Sequence, residues 1–142
     1  RSTLMDSPTL IKVGLWLAEK QNQAYERGKN DCCTLFMEYH DHMHGTKTLK
    51  SIYNKYTNKT GAIRTARRFN ITGEWLPKHG YKRVGNPQTG DIVIIETGLY
   101  PSGYIVCMNT AWTNVDGTKR MQRFALQEPD QPYSIWRHKT HG

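Results

Sequence analysis

Tyr25-Glu26-Arg27-Gly28-Lys29-Asn30-Asp31-Cys32-Cys33-Thr34-Leu35-Phe36 is the stretch from which the architecture follows. It reads as a tight turn feeding the start of a helix. Gly28 supplies backbone freedom for the turn. Asn30 and Asp31 are both good N-caps, because their side-chain oxygens can accept from the free N–H groups of a first helical turn. Cys32 falls in that first turn, where unpaired N–H groups and the helix dipole favour negative charge, so the position suits a thiolate. Leu35, Phe36, Tyr39 and Met43 then recur along one helical face, up to a C-terminal Gly45. Cys32 shares the face that packs on the rest of the domain.

Upstream, Ser7-Pro8 reads as an N-cap with proline in the first turn. Leu10, Ile11, Val13, Leu15, Trp16 and Leu17 make a dense apolar helix ending near Gln23, with Gly14 tolerated inside it. So broad an apolar surface predicts burial on more than one side. Downstream, Lys47 to Thr60 is polar and predicts a short helix and loop through Leu49, Ile52, Tyr53 and Tyr56. Gly61 to Asn70 predicts a third helix, with Ala62, Ile63, Ala66 and Phe69 inward and Arg64, Arg67 and Arg68 outward. Glu74 to His79 adds a further turn.

From Gly80 the texture changes. Asp91-Ile92-Val93-Ile94-Ile95 predicts a strand buried on both faces. Leu99 to Gly103 reads as a loop. Tyr104 to Met108, Ala111-Trp112, Arg120 to Leu126 and, after Pro129 and Pro132, Tyr133 to Arg137 read as further strands, with Asp116-Gly117 as a hairpin turn. His138 to Gly142 is expected to fray. Helices first and strands second predict an α+β fold, its N-terminal helices on one face of a C-terminal antiparallel sheet of about five strands. One domain spans residues 1–142, helical over about 7–79 and stranded over about 90–137.

The Tyr25–Phe36 stretch also resembles the active-site turn of the NlpC/P60 superfamily of papain-like cysteine peptidases, and within it a compact phage-encoded branch found among tail genes. The likeness covers nearly the whole chain. An amphipathic helix precedes Gly28-Lys29-Asn30-Asp31-Cys32, a helix containing Gly61-Ala62-Ile63-Arg64 follows, and Gly90-Asp91 opens a strand. A second strand runs from Tyr104 to Met108, and Trp136-Arg137 closes the chain. The resemblance implies a papain-like fold with Cys32 as nucleophile and Asp31 helping to hold a substrate amine. It also implies a histidine near the start of the strand after Gly90-Asp91.

That region reads Pro101-Ser102-Gly103-Tyr104-Ile105-Val106-Cys107 and contains no histidine. The six histidines are His40, His42, His44, His79, His138 and His141. His40 lies about 12 Å along the helix from Cys32, too far to be its base. His79 is the candidate base if its loop folds back; His138 or His141 would need the tail to swing in. His40 and His44 can share an ion on one helix face, but Cys33 is a further two turns away and nothing in the sequence is spaced to complete a site. They read as solvated groups at a helix C-terminus, and neither metal nor cofactor is expected.

The composition narrows the partners. The chain has 142 residues, with 20 Lys and Arg against 12 Asp and Glu, a net charge of +8. Mean hydropathy is −0.74, yet three Phe, four Trp and eight Tyr argue for a packed interior. Three cysteines, two of them adjacent, do not suggest a disulfide framework. Arg1 to Asp6 lacks the apolar run of a signal peptide, and no stretch is long and apolar enough to span a membrane. The expected role is a virion-associated structural protein of a tailed phage, in the tail or its tip, with catalysis lost and other tail proteins as partners. One alternative is an active cysteine amidase or endopeptidase that cuts peptidoglycan peptides as the genome enters the host. The other is a basic adaptor that touches DNA, although the basic residues lack the interleaved aromatics of single-strand binders.

Overall fold

The structure, a computed structural model, describes residues 8–96, 101–126 and 131–141. The Ser7 cap, Arg1 to Asp6, Leu99-Tyr100, Pro129 and Gly142 lie outside the described residues. In chain order come α1 (Pro8–Lys20), α2 (Cys32–His44), a 3-10 turn (Leu49–Ser51) and α3 (Lys59–Phe69). A π-helical turn (Ile71–Trp75) then runs into the short helix Leu76–Lys78. The strands are β1 (Tyr81–Val84), β2 (Ile92–Ile95), β3 (Ser102–Cys107), β4 (Thr110–Thr113), β5 (Gln122–Ala125) and β6 (Tyr133–His138), followed by a 3-10 turn (Lys139–His141). The fold class is α+β, with a six-stranded antiparallel sheet in the order β1-β6-β2-β3-β4-β5.

The last strand is thus inserted between β1 and β2. Its register pairs His138 with Tyr81 on one side and Trp136 with Ile92 on the other. This insertion carries the chain's C-terminal residues to the far end of α2.

The helices and the sheet share one core. Val13, Trp16 and Leu17 of α1 and Leu35, Phe36, Tyr39 and Met43 of α2 pack with Ile92, Ile94, Ile105 and Trp136 of the sheet. Each such side chain contributes about 1.5–3 kcal/mol by leaving water. Val93, Val106 and Ile135 form a second cluster with residues of the opposite sheet face. Strand alternation explains the division: Ile92 and Ile94 point one way and Val93 the other. All three are buried, as the apolar run predicts.

Several expectations change. Among the described residues there are six strands, and the strand half begins at Tyr81. Tyr81-Lys82-Arg83-Val84 hides its strand character because Lys82 and Arg83 are exposed and the strand is a short sheet edge. α1 buries one side alone: Ile11 and Leu15 are 57% and 63% exposed. Ser102 and Gly103 belong to β3 rather than to a loop. The tail does not fray as far as it is described, since His138 ends β6 and Lys139–His141 forms a turn.

Candidate functional site

The amino end of α2 is built by its cap. Gly28 has φ +86, and a side chain there would also collide with the Tyr56 carbonyl, so the turn requires glycine twice over. Asp31 is the N-cap, 2% exposed. Its Oδ1 accepts from the backbone N–H groups of Cys33 and Thr34, both at 2.9 Å. Its Oδ2 accepts from Gly28 N–H at 2.8 Å and from the Tyr56 hydroxyl at 2.7 Å. Thr34 Oγ1 accepts in turn from Asp31 N–H at 2.8 Å, closing a capping box. Each carboxylate oxygen already holds two donors, which leaves Asp31 no free acceptor direction for a substrate amine.

Beneath the cap lies a polar hub that sequence reasoning missed. The Lys20 ammonium, 2% exposed, donates to Asn30 Oδ1, to Gln23 Oε1 at 3.0 Å and to Glu38 Oε1 at 2.9 Å. Asn30 Oδ1 also accepts from Asn114 Nδ2 at 3.0 Å, which joins the end of β4 to the cap. A lysine in the last turn of a helix ordinarily signals solvent; here it satisfies three acceptors instead.

Cys32 and Cys33 are both buried. A hydrogen bond to Cys32, followed by burial, pushes the Cys33 thiol well above its ordinary value. Burial, reinforced by Cys33 and Asp31, likewise raises the Tyr56 hydroxyl. On the sheet side, Gly103 of β3 sits against this end of α2. A Cβ at 103 would fall 3.0 Å from Phe36 Cδ2 and 3.5 Å from the Cys32 carbonyl oxygen. Cys32 is thus buried in the first turn of α2, at the end of the helix that packs on β3.

The histidines gather elsewhere. His40, 2% exposed, places Nδ1 2.8 Å from the Tyr81 hydroxyl. Its ring centroid is 4.8 Å from that of His44, 5.4 Å from His79 and 5.9 Å from His138. His44 stacks on His138 at 3.8 Å and lies 5.6 Å from His141. His79 stacks on Trp75 at 4.1 Å, with Nδ1 2.7 Å from the Trp75 carbonyl oxygen. His42 remains exposed on α2, its ring 6.3 Å from that of Trp16. Burial first, then the neighbouring imidazoles, lowers His40 to about 4 and His44 to about 3; burial likewise lowers His141 to about 4. A cleft of about 360 Å³ opens onto His40, His44, His79 and His138.

Two expectations fail at this corner. His79 is not brought to Cys32: it packs on Trp75 beside His40, which stands about 12 Å along α2 from Cys32. Nor are His40 and His44 solvated groups at a helix end. The inserted β6 supplies a third imidazole, and one ring nitrogen from each of His40, His44 and His138 lies within 4.8 Å of the others. The i, i+4 spacing of His40 and His44 was visible in the sequence; the placement of His138 followed only from strand order.

Two motifs of the resemblance do meet. Arg137 Nε and Nη2 donate to Asp91 Oδ1 and Oδ2 at 3.0 and 2.9 Å, and Asp91 is fully buried. Burial raises the Asp91 carboxyl, while Arg137 draws it back. Next to it, the Tyr39 hydroxyl donates to the Gly90 carbonyl at 2.7 Å, binding α2 to the strand opener.

Residues 11–135 match the model of a family described as Domain of unknown function (DUF6950). The chain belongs to this family. The DUF6950 match runs from α1 into β6, so it contains Cys32, His40, His44 and His79 and stops short of His138. No curated protein and no solved structure matches the chain. Two surfaces of this DUF6950 chain stand apart from both corners. A cavity of about 600 Å³ on the second sheet face is lined by Val93, Ile95, Tyr104, Phe124, Tyr133 and Ile135, among others. Arg64, Arg67 and Arg68 are exposed along α3. Among the described residues, no helix is long and apolar enough to cross a membrane.

Proposed function

We propose that this chain is a structural part of a tailed-phage virion, seated in the tail or its tip, on a papain-like NlpC/P60-type fold whose cysteine no longer catalyses. The observation that carries the reading is the lack of room at Gly103, where an added Cβ would fall 3.0 Å from Phe36 Cδ2. The resemblance calls for an imidazole near the start of β3, and there the backbone approaches α2 too closely to leave space for one at 103. Nucleophilic cysteine catalysis needs a base within hydrogen-bond reach and a group to orient it. All six histidines are engaged or exposed elsewhere, and Asp31 is saturated as a cap. The site has the parts of a rigid joint: a capping box, the Lys20 hub and the Asp91–Arg137 pair.

The apolar cavity on the second sheet face suits a neighbouring tail protein, and the net charge of +8 favours an acidic one. Mass spectrometry of purified virions tests the role. The chain should appear at a fixed copy number in intact particles and in isolated tails, and its absence from both would overturn the reading. Incubation with peptidoglycan tests the lost activity. No stem peptides should be released, by the wild type or by Cys32→Ala; release that disappears in Cys32→Ala would establish the amidase instead. Salt-sensitive binding to random DNA would favour the adaptor.

A further inference from the structure

We propose that His40, His44 and His138 form a binding site for one divalent transition-metal ion, Zn²⁺ above all. The three come from two ends of the chain, and the insertion of β6 beside β1 is what unites them. One ring nitrogen from each lies within 4.8 Å of the other two. A tetrahedral ion with Zn–N bonds of roughly 2.0–2.1 Å holds its ligands about 3.3 Å apart, so the set closes by about 1.5 Å at most through ring rotation. The His44 and His138 rings are stacked at 3.8 Å with their planes 25° apart, and binding one ion requires them to turn so that both lone pairs meet it.

The polar bookkeeping of this corner points to a missing partner. His44 Nε2 is sealed from solvent and has no hydrogen-bond partner. Burying such an orphan is costly when nothing satisfies it. His40 is oriented from behind, as metal-ligating histidines are: its Nδ1 faces the Tyr81 hydroxyl at 2.8 Å. His138 Nδ1 accepts from the Thr140 backbone N–H at 3.2 Å and lies 2.9 Å from Thr140 Oγ1, which fixes that ring in place. Imidazoles alone, with no thiolate or carboxylate among the three, suit Zn²⁺, Cu²⁺ or Ni²⁺ rather than Mg²⁺ or Ca²⁺. The cleft beside the rings gives the ion a path in and leaves a fourth position for water. The bound ion would pin the C-terminal turn and β6 to the end of α2, independently of anything Cys32 does.

The test uses the full chain stripped with a chelator, then titrated with Zn²⁺ by calorimetry and with Co²⁺ by visible absorption. The proposal expects one equivalent bound, the intense bands of tetrahedral Co²⁺, and a thermal midpoint that rises with Zn²⁺ concentration. His44→Ala and His138→Ala should abolish the Co²⁺ bands. His42→Ala, on the same helix but outside the set, should leave them unchanged. Tyr81→Phe should weaken binding by about 10–100-fold. Circular dichroism of each metal-free variant establishes that it is folded before it is scored. Absence of a one-to-one complex in the wild type, or full binding retained in a folded His44→Ala, would overturn the proposal.

Discussion

Tyr56 donates its hydroxyl to Asp31 Oδ2 at 2.7 Å, joining residues 25 positions apart. The bond ties the segment ahead of α3 to the cap of α2, and it does so where both groups are buried. Tyr56→Phe removes the donor and keeps the ring. A hydrogen bond to a charged group contributes about 1.5–3 kcal/mol, so the variant should lose that much in urea denaturation with an unchanged slope. Asp31→Ala strips four donors of their acceptor and should cost more than Tyr56→Phe in the same experiment.

Gly103 and Gly14 make an opposed pair of predictions. A Cβ at 103 meets Phe36 Cδ2 at 3.0 Å, within a core that cannot expand freely. Gly103→Ala should therefore destabilise by about 1–3 kcal/mol. Gly14, inside α1, has nothing within 4 Å of its Cβ position. Gly14→Ala should stabilise by up to about 1 kcal/mol through helix propensity. Paired thermal melts read both signs.

Asp91 is fully buried, and Arg137 meets it with two hydrogen bonds. Removing the arginine leaves a buried carboxylate uncompensated, which typically costs about 3–5 kcal/mol. Arg137→Ala should show a loss of that size at neutral pH by chemical denaturation.

How much of this was legible beforehand depends on which contacts are local. The Tyr25–Phe36 turn, the Asp31 cap and the apolar face of α2 rest on residues within a dozen positions, and they follow from capping chemistry and periodicity. The apolar run of β2 announced a strand in the same way. β1 did not, because an edge strand carrying Lys82 and Arg83 looks like a loop. The histidine corner escaped for a different reason. Each histidine taken singly reads as a surface residue, and only the insertion of β6 between β1 and β2 sets His138 beside His44. Lys20 escaped likewise, since its acceptors Asn30 and Glu38 lie 10 and 18 residues away.

That corner should make the metal-free chain acid-labile. His40, His44 and His141 face His79, His138, Tyr81, Lys12, Arg137 and Asp41. Their folded values of about 4, 3 and 4 lie below the ordinary 6.5. As pH falls, the unfolded chain takes up these protons first, so stability should be level above about pH 6.5 and decline from there toward about pH 4. Urea midpoints measured across that window check the slope. His44→Gln should flatten it.

The most direct test of the central claim, that Cys32 has no imidazole partner, is the histidine-ring NMR spectrum of the wild type beside that of Cys32→Ser. The account predicts that all six ring signals, and the pH at which each titrates, stay where they are. A single imidazole whose signal and titration both move on loss of the thiol would contradict it and restore a working Cys–His pair.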